Sequence, residues 1–222
     1  MYKIIRQKRK SISITLDEDY NIIIKAPYYV NQEQIEDMIK TNKAWIEQTI
    51  TKKKQKASRN DWVQNKKILY LGEYRDICIL EATNGNARVE YKDDIFYFYR
   101  SCYEGDECIR ALLEAYLREE AKILFAQLTQ KYTILVGVTC NKVTIRKQKT
   151  RWGSCSSKGN LSYNIKLMCA SLSCIEYVVL HEVMHLRHFD HSKDFWRDIE
   201  KIMPNYREKK AYFKKYGQYF EI

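Results

Sequence analysis

The chain has 222 residues, 45% of them hydrophobic and 30% charged, which suits one large or two small globular domains and excludes a disordered polymer. A net charge of +11 attracts polyanions, so nucleic acid, nucleotides and acidic proteins are the partners it suggests. No apolar run approaches a membrane span, and residues 1–6 lack the apolar stretch of a signal peptide, so a cytoplasmic protein without membrane contact is expected.

Residues 11–16 and 21–25 alternate apolar and polar, and with Asp17-Glu18-Asp19 between them they predict a hairpin. Pro27 breaks the run. Asn31 then caps a helix expected to reach about residue 54, with Ile35, Met38, Ile39, Trp45, Ile46 and Ile50 as its apolar stripe. The run Lys52-Lys53-Lys54-Gln55-Lys56 continues that helix and reads as a solvated end. No nucleic-acid motif of recognisable spacing accompanies it, so any contact with nucleic acid is expected to be nonspecific. A second hairpin is predicted around Gly72-Glu73, between residues 67–71 and 74–80, and short strands near 87–91 and 95–99.

A long amphipathic helix is expected from Asp106 to about Lys131, packed behind the helix that carries the histidines. Residues 142–148 and 161–167 read as strands, joined by the string Arg151-Trp152-Gly153-Ser154-Cys155-Ser156-Ser157-Lys158-Gly159. After the histidines come a helix over 192–202 and a last segment that Pro204 opens and Gly217 ends. The predicted class is α+β. A β-rich region with one long helix occupies 1–100, and a catalytic half occupies 101–222. Seven cysteines, an odd number with no C-x-x-C pair, read as reduced packing thiols.

All four histidines of the chain fall between His181 and His191. The apolar run 175–180 predicts a buried helix, and Ser173 with Glu176 reads as the capping box that starts it. On that helix His181-Glu182-Val183-Met184-His185 forms H-E-x-x-H. Residues four apart share a face, roughly 6 Å apart along the axis, so His181 and His185 can bind one Zn2+. Glu182 can then reach a metal-bound water as general base. The third ligand has to come from beyond the helix. In a straight helix His188 would lie about 10 Å along the axis from His181, too far to share the ion. His191 comes within reach if the chain turns after His188. That spacing matches the metzincin pattern, with His188 where the pattern has a glycine, and histidine tolerates the positive φ of such a turn. Glu200 is the alternative third ligand. Three protein ligands leave a position open for water, as in a catalytic zinc site.

The string Thr150-Arg151-Trp152-Gly153-Ser154-Cys155-Ser156, then Tyr177-Val178-Val179-Leu180-His181-Glu182, then His191-Ser192 with Phe195-Trp196, resembles the YgjP-like metallopeptidases, relatives of the SprT-like zincins. Lys8-Arg9-Lys10-Ser11-Ile12-Ser13-Ile14, Ala26-Pro27, Trp45-Ile46 and Leu71-Gly72 are similar to that family as well. The resemblance implies a zincin-like catalytic half and supports His181, His185 and His191 as ligands. It says little about substrate.

Trp152 and Gly153 read as a core plug and a chain turn, and Cys155 as packing near the site. Arg151 can grip an oxyanion or a phosphate beside the metal. Tyr163 is the candidate hydroxyl donor to the transition state. Phe195 and Trp196 read as residues that pack the following helix into place. The leading expectation is a zinc-dependent metallohydrolase acting on a peptide or protein, with the strand over 161–167 offering its edge to an extended substrate. The basic residues Arg146, Lys147, Lys149 and Arg151 support an alternative, a nucleoside triphosphate pyrophosphohydrolase. A third reading is a non-enzymatic DNA-associated module whose zinc only holds the fold.

Overall fold

The computed structural model describes residues 2–17, 21–59, 61–82, 86–101 and 105–222, and over 52–59 the backbone alone. In the first unit, Met1–Asp61, strand β2 (Ser13–Leu16) pairs antiparallel with β3 (Ile22–Ala26), the hairpin expected from the alternation. Asp17 accepts a 2.7 Å bond from the Asn21 amide, while Glu18 and Asp19 of the expected turn lie outside the described residues. A third strand, β1 (Tyr2–Arg6), lies parallel to β3 on its other side. Asn31 and Gln34 form a reciprocal capping box at the start of α1 (Gln32–Thr41). The expected single helix breaks at Asn42, whose side chain donates to the Met38 carbonyl, and resumes as α2 (Lys43–Arg59). After the break Ile46 stays buried but Trp45 turns half exposed. The side chains of the basic run 52–56 lie outside the described residues.

The second unit, Trp62–Ile222, begins before residue 100, where composition alone places the division. The reason is a shared core. Phe96 and Phe98 are fully buried together with Ile109, Leu113 and Leu117. Strands β4 (Lys67–Tyr70), β5 (Glu73–Glu81), β6 (Arg88–Lys92) and β7 (Ile95–Arg100) form a sheet in the order β4-β5-β7-β6. Helix α3 (Asp106–Val136) runs past its predicted end and stops at Gly137, which takes the left-handed conformation.

Strands β8 (Lys142–Arg146), β9 (Gly153–Cys155) and β10 (Asn160–Asn164) make a second sheet in the order β8-β10-β9. This corrects two expectations. The link 151–159 is itself partly strand, and the strand near 161–167 is central, so it offers no edge; β9 does. Helices α4 (Leu172–Met184), α5 (Lys193–Ile202) and α6 (Tyr206–Tyr216) complete the unit. Helix α4 starts two residues earlier than the expected capping box, with Ser171 as N-cap. Ser173 accepts from Lys209, and Glu176 pairs with Lys131 of α3 at 2.6 Å. Pro204 sits just before the N-cap of α6, Asn205. Gly217 follows α6 with φ −57°, so its lack of a side chain serves space rather than a left-handed turn. A Cβ there would lie 2.5 Å from the Trp152 ring.

The described cysteines are free thiols, and no described helix is long and apolar enough to cross a membrane. The class is mixed α and β, with six α-helices and three sheets among the described residues.

The β4–β5 turn bears directly on α4. Gly72 has φ +90°, and a Cβ would meet the Ser171 backbone at 2.8 Å. The adjacent Leu71 amide donates to the Met168 carbonyl at 2.8 Å. Gly72→Ala is expected to lower unfolding free energy by about 1–3 kcal/mol through overpacking and left-handed strain. Urea denaturation checks it; an unchanged midpoint would mean that Ser171 yields freely.

Candidate metal centre

Ile175, Val178, Val179, Leu180, Val183 and Met184 of α4 are all buried, as befits a helix enclosed by α3, α5, α6 and β9. Into this apolar helix the sequence inserts His181 and Glu182, with His185 as its C-cap. The helix ends at Met184 and does not continue to His188. Its last bonds tighten to Leu186 N→Val183 O and Arg187 N→Met184 O, and the Arg187 guanidinium donates to the Val136 carbonyl at the end of α3. The turn therefore begins at His185. His188 needs no positive φ, since the described non-glycine residues with one are Lys66, Leu71, Asp93 and Asp94.

Ser192 caps α5 through a 3.4 Å bond from the Phe195 amide, and Asp190 accepts from the Ser192 amide at 3.1 Å. This pair of turns delivers His191 back to α4. One ligand atom from each of His181, His185 and His191 lies within 4.8 Å of the other two, and the Nε2 atoms of His181 and His191 are 3.0 Å apart. His185 Nδ1 lies 3.0 Å from the His188 carbonyl, which leaves Nε2 as its lone-pair nitrogen. His181 Nδ1 is buried without a partner, so no hydrogen bond selects its tautomer. His188 itself turns away, its Nε2 held 3.0 Å from Asp198. Glu200, the alternative ligand, lies outside the group, 3.3 Å from Arg207.

Burial, then the neighbouring His185 and His191, push the His181 pKa down to about 3; burial also lowers that of His191. Three imidazoles converging with no carboxylate among them form a donor set that fits a divalent transition-metal cation. Among the described residues no fourth side chain joins the group.

The rings are held in common. Phe195, fully buried, has its centroid 5.1 Å from that of His181, 4.8 Å from His185 and 4.9 Å from His191. Trp196 stacks between His191 and Tyr206, at 5.6 and 5.3 Å. Packing was the role expected of both aromatics; that one of them touches all three ligand rings shows only in three dimensions.

Glu182 is 6% exposed, and burial raises its pKa to about 7 against the opposing charge of Arg151. Gly153 makes room for it. A Cβ on Gly153 would sit 2.6 Å from Glu182 Cγ and 2.7 Å from Oε1. Gly153 thus serves close approach within β9 and not a turn, a role that the R-W-G-S-C string does not reveal. Trp152 is the core plug expected, 5.1 Å from Phe213 and 5.5 Å from Phe220.

Two cavities flank Glu182, and both are lined by Arg151, Gly153, His181 and Glu182. One, about 390 Å³, has aromatic walls and takes in Lys210 and Lys214 of α6. The other, about 360 Å³, runs along Ser154, Cys155 and Ser156 to His185, His191 and the exposed Phe189. Burial lifts the Cys155 thiol to about 11, so it stays protonated in that wall. Tyr163 is not brought to the site. It is fully buried, with its hydroxyl 3.0 Å from Thr129 Oγ1, and it lines neither cavity. Lys210 and Lys214 went unnoticed because α6 carries four lysines over its length, and sequence does not distinguish those that face the cavity.

A family model described as YgjP-like, metallopeptidase domain, matches residues 10–216. No curated protein matches the chain. Among solved structures, the metallopeptidase zymogen of Pyrococcus abyssi abylysin is similar at 23% identity and a TM-score of 0.38, over 41% of this chain and 94% of that one.

Two outcomes follow from the geometry. A carboxyl whose pKa rises on folding keeps its proton longer in the native state, so it weakens the fold progressively as pH rises from its usual 4.5 to about 7. In metal-free protein, the stability of the parent relative to Glu182→Gln is expected to fall by roughly 3 kcal/mol over that window; parallel denaturation curves at each pH would remove the burial effect. Gly153→Ala is expected to displace the Glu182 carboxyl while the protein still binds metal, cutting turnover by about tenfold or more. Metal content and rate measured on the same preparation check this.

Proposed function

Because the chain belongs to the YgjP-like metallopeptidase family, we propose that it is a zinc-dependent peptidase in which His181, His185 and His191 hold the metal and Glu182 is the general base. The observation that carries this reading is one juxtaposition. Three imidazoles meet beside a buried carboxyl whose pKa of about 7 suits proton transfer near neutrality. Zinc is the cation such an all-imidazole set favours, and when bound it supplies Lewis acidity toward water and an acyl oxygen.

The chain's own residues do the rest. Glu182 takes a proton from the attacking water and passes it to the leaving amine. The His188 carbonyl orients His185, and Phe195 holds the three rings in register. Arg151, which lines both cavities, faces the position where negative charge develops on the substrate. Strand β9 pairs only with β10 among the described strands, so its free edge is the place for an extended peptide to add. An H-E-x-x-H helix beneath an edge strand is the arrangement read here as zincin-like.

The position of Arg151 favours a second reading, hydrolysis of a nucleoside triphosphate. Of the four basic residues that motivate it, Arg151 is the one that lines the two cavities beside Glu182; Lys147 is engaged by Glu114 at 2.6 Å. A purely structural zinc in a DNA-associated module calls for a closed ligand set, and the histidine group has no fourth member among the described residues.

Glu182→Gln is expected to retain one zinc per chain and to lose peptide hydrolysis by at least about a hundredfold. Measuring peptide cleavage and triphosphate hydrolysis side by side, in parent and variant, decides between the readings. Activity that survives the substitution would exclude Glu182 as the base.

A further inference from the structure

The larger cavity beside Glu182 has a character that hydrolysis by itself does not require. Its inner wall is aromatic, with Trp152 and Phe213 5.1 Å apart. Its lining carries cations from two elements. Lys210 and Lys214 stand one turn apart on α6 and face the same way, and Arg151 leads into β9. Lys210 is fixed in place, its Nζ 4.3 Å from the centroid of Trp196, the ring that stacks on His191. None of the three has a carboxylate partner among the described residues, although other cations of the unit do, Lys131 with Glu176 and Lys147 with Glu114 among them. The sole acidic residue in the cavity wall is Glu182 itself.

Three cations line one cavity with Glu182 as its single acidic residue, and like charges gathered there repel. A ligand carboxylate would relieve that repulsion with charge-assisted hydrogen bonds. About 390 Å³ is within the range of small-ligand clefts and holds a residue or two of a peptide.

Resting on the peptidase reading, we propose that this cavity is a carboxylate subsite next to the scissile bond, with Lys210 and Lys214 as its specificity residues. The carboxylate belongs either to an acidic side chain or to the end of the peptide chain. In both cases Lys210, Lys214 and Arg151 receive it while the neighbouring residues lie along β9. The second cavity, lined by Ser154, Ser156 and Phe189 without lysine, makes no such demand on the other side of the bond.

The test uses zinc-loaded, full-length Glu182→Gln protein, which binds without turnover, and four fluorescein-labelled peptides. One pair is amidated and differs only in an internal Glu or Gln. The other pair has no acidic side chain and ends in a free carboxylate or an amide. Anisotropy titration is expected to show about tenfold tighter binding for the carboxylate member of one pair, and that pair identifies the source. Adding Lys210→Gln and Lys214→Gln should bring the ratio within about twofold, and the Lys→Arg pair should restore it. Both lysines are exposed, so circular dichroism should show an unchanged fold. The subsite is overturned if the members of both pairs bind alike, if no peptide binds, or if the preference survives loss of the lysines. A carboxylate preference that depends on the lysines, in a parent protein that cleaves none of the four peptides, supports the subsite and overturns the peptidase reading.

Discussion

The centre depends on the burial of one ring. Phe195 lies within 5.1 Å of all three histidine rings, measured between centroids, and is itself fully enclosed. The histidines come from three different local settings: the body of α4, its C-cap, and the loop before α5. Helix α4 itself sets His181 and His185 one turn apart, so the shared apolar contact matters most for His191, which reaches them from the loop before α5. The Ser192 cap sets the direction of α5, and thereby where Phe195 points. The Arg187 bond to the end of α3 holds the intervening turn against the core.

A polar centre inside an apolar helix carries a desolvation penalty, and the fold meets it unevenly. His185 has an acceptor for Nδ1, in the carbonyl of His188. His181 has none, and its burial keeps the ring neutral, the form in which a cation can be bound. Glu182 is pressed against Gly153 and kept from water, which brings its proton affinity toward neutrality. Under the proposed function, the features that weaken the metal-free fold are those that suit the groups to hold metal and transfer protons, a common trade at functional sites.

The string Arg151-Trp152-Gly153 shows how three neighbours divide such work. Trp152 points into the core against Phe213 and Phe220, and takes the space left free at Gly217. Gly153 provides the clearance for Glu182, and Arg151 stays at the surface where both cavities open. Of the three, Gly153 alone lies in β9; Arg151 and Trp152 belong to the segment that leads into it, so core and site are served together where the chain enters a short edge strand.

Much of the centre is legible in the sequence, because its signals are local. H-E-x-x-H needs only helical periodicity, whereas His191 rests on a turn that the spacing suggests, with Glu200 left open beside it. The hairpin at Gly72, the long helix α3 and the α5 cap likewise follow from patterns a few residues long. What the tertiary structure decided are relations between distant segments. The early end of α4 depends on Arg187 reaching α3. The demotion of Tyr163 to the core depends on Thr129, 34 residues away. The placement of β9 rather than β10 at the sheet edge depends on the pairing of β10 with β8. The cationic rim depends on which lysines of α6 face Trp152 and Trp196. Local spacing constrains rotation about one element's own axis; only packing against other elements settles which face of it a substrate meets.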